Sequence, residues 1–350
     1  MPETDFEAIE KVTCDNLDKL ATLLKGCRRF YIFIHDNPDP DCIASAQALK
    51  VLLKDKFQIS SSILYGGIVG RAENVALLER CNIHIVHVDT VRLRNIRYCC
   101  LLDTQPNGGN NSFPDYLTPT FVIDHHPRKR ATKAKLVDIR PLYGATCTIL
   151  TEYLMAADVK ITSILATSII YAILSETEFL GRDTTDKDIK IYTSLLPIIN
   201  HRKLSKIIHP PLRREYFVDL HRAIENTFYY KNVVGTYIMD ASYPDIVAQV
   251  ADLILKSKGR TWAICMGIYD GALYVSIRTT NIRGRCGVVM RRLIGKQGTA
   301  GGHEMIAGGK IPLDGKDEAD IKNLIDGVIA EFIKILGHKG DPQTKRLLSV

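Results

Sequence analysis

The sequence lacks a Cys-x-x-Cys pair and any evenly spaced cysteine framework, although it contains nine cysteines. This argues against a disulfide scaffold or a cysteine-based zinc site, and it predicts buried free thiols in a reducing compartment. The sequence also lacks an uninterrupted apolar run of about 18 residues, which a membrane-spanning helix would need. Its first residues, MPETDFEAIEK, carry acids where a secretory signal carries bases, so we expect a cytoplasmic protein with no membrane partner.

Basic residues are in moderate excess over acidic ones, with a net charge of +7 and an isoelectric point of about 8.8. Such a balance suits an anionic substrate or a nucleic acid without requiring either. The bases cluster between positions 278 and 296, at Arg278, Arg283, Arg285, Arg291, Arg292 and Lys296. A phosphate-facing patch is one interpretation, but charge alone favours an ordinary solvated face.

The N-terminal part of the chain alternates apolar strand patterns with helical patterns. RFYIFI, at 29–34, is followed by a polar loop and then by an Ala/Leu-rich helix, and SSILYGG with AENVALLER repeats the unit. Further strands are predicted at 83–88, 98–102 and 121–124, and helices at 144–158, 161–176 and 183–209. This alternation predicts an α/β domain with a parallel sheet and helices on both faces.

HPPLRR, at 209–214, is the best candidate for a linker because it combines two prolines with two arginines. Beyond it a helix, several strands and a hairpin turn at Asp270-Gly271 predict a smaller α/β domain. We therefore predict an N-terminal domain over 1–208, a linker over 209–216, a C-terminal domain over 217–338 and a loose tail over 339–350.

Acids and histidines follow several of the predicted strands and one later apolar run. They are His35, Asp39, Asp41, Asp103, Asp124, His125, His126 and Glu176. Any single acid after a strand is better explained as a helix cap or a turn residue. Four such clusters are harder to explain in that way, because the carboxyl ends of parallel strands form a shared ligand-binding edge.

Crowded carboxylates repel one another unless a cation lies between them. Carboxylates mixed with imidazoles suit manganese, with magnesium or cobalt as alternatives. Two such ions would activate a water for attack on a phosphoryl group, and Asp103, alone at its strand end, would bridge them. The sequence therefore predicts a metal-dependent phosphoesterase with a cage formed by His35, Asp39, Asp41, Asp103 and His125.

A second, weaker signal is the glycine-rich segment GTAGGHEMIAGG at 298–309, which contains His303. Successive backbone amides and a helix start can together hold an anion. The segment is therefore interpreted as a turn that contacts substrate.

These motifs, in this order, resemble those of the DHH phosphoesterase superfamily. HDNPDPD matches its first motif, LLDTQP its second, and Asp124-His125-His126 the motif that gives the family its name. The segment 300–308 approaches the glycine-rich signature of the DHH-associated substrate-binding domain, so the resemblance runs from about residue 28 to about residue 335. The length and two-domain layout look most like the nanoRNase and oligoribonuclease branch, which is related to RecJ exonucleases.

The resemblance implies a Mn²⁺-dependent enzyme acting on short oligonucleotides, linear dinucleotides or 3′-phosphoadenosine 5′-phosphate, with cyclic dinucleotides as a further possibility. It implies one ion on His35, Asp39 and Asp103, and a second on Asp41, Asp103, His125 and an acid of the fourth motif, here Glu176. His126 would contact the scissile phosphate and Asp124 would orient a histidine. The nucleotide would be held by Arg278, Gly301, Gly302 and His303.

Two departures from the family pattern bear on the substrate. The fourth motif normally reads Ser-Asp-Thr, but Glu176 stands here in place of the aspartate, and Ala300 with Met305 replaces smaller residues in the glycine-rich segment. Two alternatives therefore stay open: a polyphosphate or pyrophosphate hydrolase, and a weakly catalytic nucleotide sensor. Oligomeric state is also open, a homodimer included.

Overall fold

The computed structural model describes residues 11–302, 304–338 and 343–348. The chain divides into two compact units, 1–210 and 211–350, and this division falls within the HPPLRR segment. Among the described residues, no helix combines the length and the apolarity that crossing a membrane would require.

The first unit contains a six-stranded sheet in which every neighbouring pair is parallel. Its strands are β1 (Arg29–Phe33), β2 (Ser60–Tyr65), β3 (Ile85–His87), β4 (Cys99–Leu102), β5 (Phe121–Asp124) and β6 (Leu136–Ile139). Their spatial order is β3-β2-β1-β4-β5-β6, so the direction of winding reverses between β1 and β4. In sheets of this kind the crevice at that reversal, outside the carboxyl ends of the strands, is where ligands bind.

Among the described residues this unit contains seven α-helices: α1 (Lys11–Leu23), α2 (Pro40–Phe57), α3 (Ala72–Cys81), α4 (Thr146–Ala156), α5 (Ser163–Glu176), α6 (Asp186–Leu195) and α7 (His201–Ile208). Their apolar side chains pack with Phe30, Ile32 and Ile63, which project from one face of the sheet, and the resulting core is fully buried. Helix α2 starts where the sequence dictates, because Asp39 caps it and Pro40 occupies its first turn.

The opposite face of the sheet is covered differently. Phe33, Leu64 and Leu101 on this face are buried under residues of the segments 88–96 and 113–117, which form loops and two short 3-10 turns. Within the described residues, α-helices pack against one face of this sheet, and loops with 3-10 turns cover the other. The reason is local: the connection from β4 to β5 is rich in Gly, Asn and Pro, which disfavour helix.

The second unit contains a seven-stranded sheet of order β11-β12-β10-β9-β8-β7-β13, antiparallel except between β8 and β9. Its strands are β7 (Phe228–Tyr230), β8 (Val233–Ile238), β9 (Trp262–Tyr269), β10 (Ala272–Thr279), β11 (Thr299–Gly302), β12 (Ile306–Pro312) and β13 (Lys345–Arg346). Helices α8 (Arg214–Glu225) and α9 (Asp245–Leu255) cover one face, and α10 (Cys286–Ile294) and α11 (Glu318–Ile335) cover the other. A smaller α/β domain after the parallel-sheet domain is thus confirmed.

Local predictions in the second unit had mixed outcomes. Asp270 and Gly271 both have positive φ, 46° and 68°, as a two-residue hairpin turn between β9 and β10 requires. Most of the glycine-rich segment, predicted as a turn, lies in the two strands of the hairpin β11–β12. Within the predicted loose tail, Lys345 and Arg346 pair with β7, and residues 339–342 and 349–350 lie outside the described residues.

Candidate metal centre

The predicted site residues of the first unit gather at the carboxyl edge of its sheet. His35 follows β1, Asp39 caps α2 and Asp41 lies in the first turn of that helix. Asp103 follows β4, and Asp124 is the last residue of β5. Because β1, β4 and β5 are adjacent in the sheet, their loops bring these side chains together.

Asp103 lies at the centre of the cluster and is only 2 % exposed. Its Oδ2 lies 3.7 Å from His35 Nε2, and its Oδ1 lies 3.6 Å from His125 Nε2. The backbone of Asp103 adopts φ 57°, a left-handed conformation that is uncommon outside glycine and often found at functional sites. The two oxygens of this one carboxylate thus face two different imidazoles, the arrangement that a bridging ligand needs.

The first half of the centre pairs His35 with Asp39. The carbonyl of Asp36 accepts a hydrogen bond from His35 Nδ1 at 2.9 Å, which turns Nε2 toward Asp39 Oδ2 at 3.3 Å. Burial lowers the pKa of His35, but the carboxylates of Asp39 and Asp103 outweigh it and raise that pKa to about 10. Burial likewise opposes ionisation of Asp39, but the adjacent His35 holds the pKa of Asp39 below its ordinary value.

The second half of the centre pairs His125 with Asp41. His125 Nδ1 donates to the carbonyl of Tyr143 at 3.1 Å, so the lone pair of the neutral ring lies on Nε2. That Nε2 atom is buried, has no hydrogen-bond donor among the described residues, and faces Asp103 Oδ1 at 3.6 Å and Asp41 Oδ2 at 4.0 Å. A nitrogen lone pair enclosed with carboxylate oxygens fits a cation, and a carbonyl partner on the other ring nitrogen is usual for a metal-binding histidine.

Helix α4 holds Asp41 in place. The carboxylate is fully buried, and it accepts hydrogen bonds from the backbone amides of Thr146 at 2.7 Å and Cys147 at 2.8 Å. These amides belong to the first turn of α4, where the helix dipole favours negative charge. Asp41 therefore stays fixed at the site without any cation, which preorganises this half of the centre.

The raised pKa values of the carboxyl groups in the cluster also favour the binding of a cation. Burial, reinforced by Asp41 and Asp39, raises the pKa of Asp103 well above its ordinary range. Burial also raises the pKa of Asp41, although His125 partly offsets it. Burial and the charge of Asp39 together raise the pKa of Glu176 to about 7. A divalent cation would relieve this repulsion, and the mixture of imidazole and carboxylate donors fits a transition-metal ion.

Asp124 and His126 form a separate unit beside the cage. Asp124 is 1 % exposed, and its Oδ1 accepts hydrogen bonds from His126 Nδ1 at 2.9 Å and from the His126 amide at 3.1 Å. Although burial opposes protonation of His126, this bond to Asp124 raises the pKa of the imidazole. The side chain of His126 is 38 % exposed, in contrast to the 12 % of His125. His126 is thus oriented by Asp124 and more accessible to solvent than its neighbour.

The remaining predicted residues are less closely joined to this cluster. Glu176 ends α5, and its charge influences the pKa of His126. In the second unit, Arg278 is buried and its guanidinium is already engaged, with Nε donating to Asp252 at 2.5 Å and an Nη atom to Ser276 at 2.8 Å. Gly302 has a structural reason to be glycine, because a Cβ there would lie 2.4 Å from the carbonyl oxygen of Ile306. Gly301 lies beside it in β11, and His303 falls outside the described residues.

The expectation of free thiols is confirmed, since all nine cysteines are free and only Cys14 is exposed. One of them, Cys42, lies near His35 and Asp39. Burial, with the charge of Asp39, raises the pKa of this thiol well above its ordinary value. In the metal-free protein Cys42 therefore stays protonated.

Sequence reasoning missed two supporting residues. Thr146 Oγ1 donates to Asp103 Oδ1 at 2.8 Å, so it fixes the oxygen that faces His125. Gln105, 1 % exposed, donates from Nε2 to Asp124 Oδ2 at 2.6 Å. A signal for Thr146 existed, because it starts a helix directly after a glycine-containing turn. Gln105 carried none, since a lone polar residue in a loop is ordinary.

We predict that Thr146→Val weakens Mn²⁺ binding by about 10-fold to 100-fold, the usual cost of removing a residue that orients a metal ligand. Isothermal titration calorimetry of the metal-free protein measures this. Thr146→Ser, which keeps the hydroxyl, should bind Mn²⁺ nearly as the wild type does. Thr151→Val is the matched control, because Thr151 is a buried threonine of α4 whose hydroxyl donates to the Cys147 carbonyl and, within the part of the chain that the structure describes, to no residue of the candidate centre. Equal losses in Thr146→Val and Thr151→Val would contradict the orienting role.

Comparison with known proteins agrees with this architecture. The family model described as DHH family, N-terminal domain, matches residues 29–195, and that of the DHHA1 domain matches residues 231–333. The chain is 33% identical over 336 residues to the uncharacterized protein MJ1633 of Methanocaldococcus jannaschii, covering 94% of this chain and 68% of that protein. An exopolyphosphatase-related protein from Bacteroides fragilis shares the fold, with a TM-score of 0.74 at 15% identity over 95% of this chain and 99% of that one.

The two family models follow one another in the order of the two structural units, and the first contains the cluster built around Asp103. The chain therefore belongs to the DHH family of phosphoesterases, with a DHHA1 domain following its DHH domain.

Proposed function

We propose that this protein hydrolyses short oligonucleotides or linear dinucleotides to nucleoside monophosphates with the help of two divalent metal ions. The observation that carries the proposal is the position of Asp103, whose two oxygens face His35 and His125 at 3.7 and 3.6 Å. A buried carboxylate shared between two imidazoles suits a pair of ions better than a single one. Membership of the DHH family supports phosphoester chemistry at this site.

In this proposal the two halves of the centre would hold one ion each, and Asp103 would contribute to both. His35 and Asp39 complete one half, and Asp41 and His125 complete the other. When bound, the ions supply an activated water and neutralise the charge that develops on the phosphoryl oxygens. Manganese is the proposed ion, because imidazole together with carboxylate suits it better than an all-oxygen set would.

His126 and Asp124 act on the substrate rather than on the ions. The bond from His126 Nδ1 to Asp124 fixes the ring and favours its protonated form. A protonated and partly exposed imidazole can donate a hydrogen bond to an oxygen of the scissile phosphate and stabilise the charge that develops there. Gln105 in turn holds Asp124, so the ring does not have to reorganise when substrate arrives.

Glu176 is proposed as an additional ligand in place of the aspartate of the family pattern. Its pKa of about 7 means that a substantial share of this carboxyl carries a proton near neutrality when no cation is present. We expect Glu176→Asp to change the relative activity with Mn²⁺ and Mg²⁺ rather than to abolish hydrolysis. Rates measured with each ion separately would test this, and an unchanged ratio would remove Glu176 from the ligand set.

The experiment that tests the proposed function offers the protein several phosphate compounds in the presence of Mn²⁺. These are the dinucleotide pGpG, a trinucleotide, 3′-phosphoadenosine 5′-phosphate, a cyclic dinucleotide, pyrophosphate and polyphosphate. We expect release of nucleoside monophosphates from the linear oligonucleotides. Faster hydrolysis of polyphosphate or pyrophosphate would favour that alternative instead. Tight nucleotide binding without turnover of any compound would favour a sensor and contradict both enzymatic functions.

Metal binding is expected to strengthen as pH rises. Glu176 and His35, with pKa values of about 7 and about 10, hold protons in the metal-free protein that ligation displaces. Both folded-state values are raised, so their contribution to stability is present at low pH. That of Glu176 is lost as pH rises through about 7, and that of His35 as pH rises through about 10. The melting temperature of the metal-free protein should therefore fall between pH 6 and pH 9.

Calorimetry in two buffers of different ionisation enthalpy measures the protons released on Mn²⁺ binding. We expect proton release at pH 7 and a higher affinity at pH 8 than at pH 6. Proton uptake, or an affinity independent of pH, would contradict the protonation states assigned to Glu176 and His35.

A further inference from the structure

The connection between β5 and β6 begins directly after His126 and is strongly basic. Its sequence, PRKRATKAK at 127–135, contains five bases and no acid. The five are all exposed: Arg128, Lys129, Arg130, Lys133 and Lys135. Like charges this close together repel one another, so these five bases do not stabilise the fold.

Gln105 fastens the first part of this connection to the candidate metal centre. Its Oε1 accepts hydrogen bonds from the Lys129 amide at 2.8 Å and from the Thr132 hydroxyl at 2.6 Å. Its Nε2 donates to the Pro127 carbonyl at 3.2 Å and to Asp124 Oδ2 at 2.6 Å. Since Asp124 holds His126, a single buried amide joins the basic loop to the histidine beside the cage.

The same contacts define the shape of the loop. The Thr132 amide donates to the Lys129 carbonyl at 3.1 Å, so residues 129–132 form a turn with Arg130 near its tip. Lys129 is tied down, because its Nζ donates to the Gly108 carbonyl at 3.0 Å. The side chains of Arg128 and Arg130 are not held in this way, because no carboxylate among the described residues forms an ion pair with either. Two guanidinium groups on a fastened loop beside the site are therefore left without a counter-charge.

The far part of the connection serves a different place in the fold. The Lys135 amide donates to the Pro119 carbonyl at 3.4 Å, and Leu136 then starts β6. Because the strands are parallel, the start of β6 lies at the amino edge of the sheet, opposite to the edge that carries His126. Lys135 thus carries the same charge as the other bases of the loop but lies at the opposite edge of the sheet from His126.

We propose that Arg128 and Arg130 bind the phosphate group next to the one that is hydrolysed, so that the substrate is a chain carrying two or more phosphates. Guanidinium groups bind phosphate oxygens in a bidentate manner, which sets register as well as affinity. The fastening through Gln105 gives this contact a defined position relative to His126. The inference rests on the proposed function, because it presumes that a phosphoester is cleaved at the Asp103 centre.

The test compares Arg128→Gln, Arg130→Gln and the double variant with Lys135→Gln, which removes the same charge at the opposite edge. Each protein is assayed with Mn²⁺ on a trinucleotide, on tripolyphosphate and on a chromogenic ester with a single phosphate. We expect the double variant to raise KM for the multi-phosphate substrates about 10-fold to 100-fold, as two lost charge-assisted contacts would. Its kcat/KM on the single-phosphate ester should change less than about twofold, and Lys135→Gln should resemble the wild type.

Salt provides a second readout, because each phosphate contact contributes to the slope of log(kcat/KM) against log salt. For a single-stranded substrate the double variant should lose about 0.7 of slope per arginine removed. A higher KM of the double variant for both multi-phosphate substrates supports recognition of the phosphate chain itself. A higher KM for only one of them identifies whether the chain belongs to a nucleic acid or to a polyphosphate. An unchanged KM of the double variant for both multi-phosphate substrates overturns the proposal. So does an equal rise of its KM for the single-phosphate ester, or an equal rise of KM in Lys135→Gln.

A separate binding experiment distinguishes an error in the proposed reaction from an error in the arginine contact. If the wild type hydrolyses none of the three compounds, binding of a labelled trinucleotide and of tripolyphosphate is measured instead with the otherwise unsubstituted protein and Mn²⁺. Weaker binding after Arg128→Gln and Arg130→Gln in that background supports the arginine contact even though the reaction assignment is wrong. Unaltered binding in the same background overturns the contact.

Discussion

Asp103→Asn is expected to reduce turnover at least about a thousandfold, the largest effect of any single substitution considered. Asparagine keeps the size of the side chain and can still accept the hydrogen bond from the Thr146 hydroxyl. It removes the negative charge that both halves of the centre share, and with it several kcal/mol of stabilisation of the transition state. Steady-state kinetics with saturating Mn²⁺ measures the effect.

The same substitution separates a chemical role from a structural one. Burial and neighbouring acids raise the pKa of Asp103 well above its ordinary range, so its negative charge is a burden on the metal-free fold. Replacing it with a neutral side chain should leave the melting temperature of the metal-free protein unchanged or higher. Turnover near the wild-type rate would contradict the shared carboxylate, and a large drop in melting temperature without metal would contradict the electrostatic account.

Removing the metal is expected to have the second largest effect. Incubation with a chelator should abolish hydrolysis, and added Mn²⁺ should restore it, because in the proposed reaction the ions lower the pKa of the attacking water and neutralise charge on the phosphoryl oxygens. The metal should also stabilise the fold, by about 2.7 kcal/mol of unfolding free energy per bound ion when free Mn²⁺ is about 100 times its Kd. Differential scanning calorimetry with and without Mn²⁺ measures that gain.

The matched control is Asp103→Asn, in which the stabilisation by Mn²⁺ should be largely lost while the metal-free melting temperature is kept. Full activity in the presence of excess chelator would contradict metal dependence. A stabilisation by Mn²⁺ of the same size in Asp103→Asn would place the responsible ions elsewhere in the chain.

The grouping of the candidate-centre residues at one edge of the sheet follows from a local signal in the sequence. A parallel strand is an apolar run, and the residue that follows the run lies at the carboxyl edge, as His35, Asp103 and His125 do. Neighbouring strands then bring these positions together without further information. The predicted helices and the turn at Asp270-Gly271 follow from short-range patterns in the same way.

What the sequence left unpredicted depends on contacts between distant segments. The bond from Thr146 to Asp103 spans 43 positions, and that from Gln105 to Asp124 spans 19. The strand β6 was missed because Asp138 interrupts its apolar run, and β7 was missed because it follows closely on α8. The glycine-rich segment was assigned to a turn because its glycines mask a strand pattern, yet β12 pairs along its whole length with β10.

The central claim is that one buried carboxylate, Asp103, serves two metal ions. The most direct measurement is the number of Mn²⁺ ions bound per chain, determined by calorimetry and by elemental analysis of the wild type and of Asp103→Asn at the same free Mn²⁺ concentration. We predict two ions in the wild type and a loss of at least one in Asp103→Asn. A single ion in the wild type, or two ions bound with undiminished affinity by Asp103→Asn, would contradict the claim.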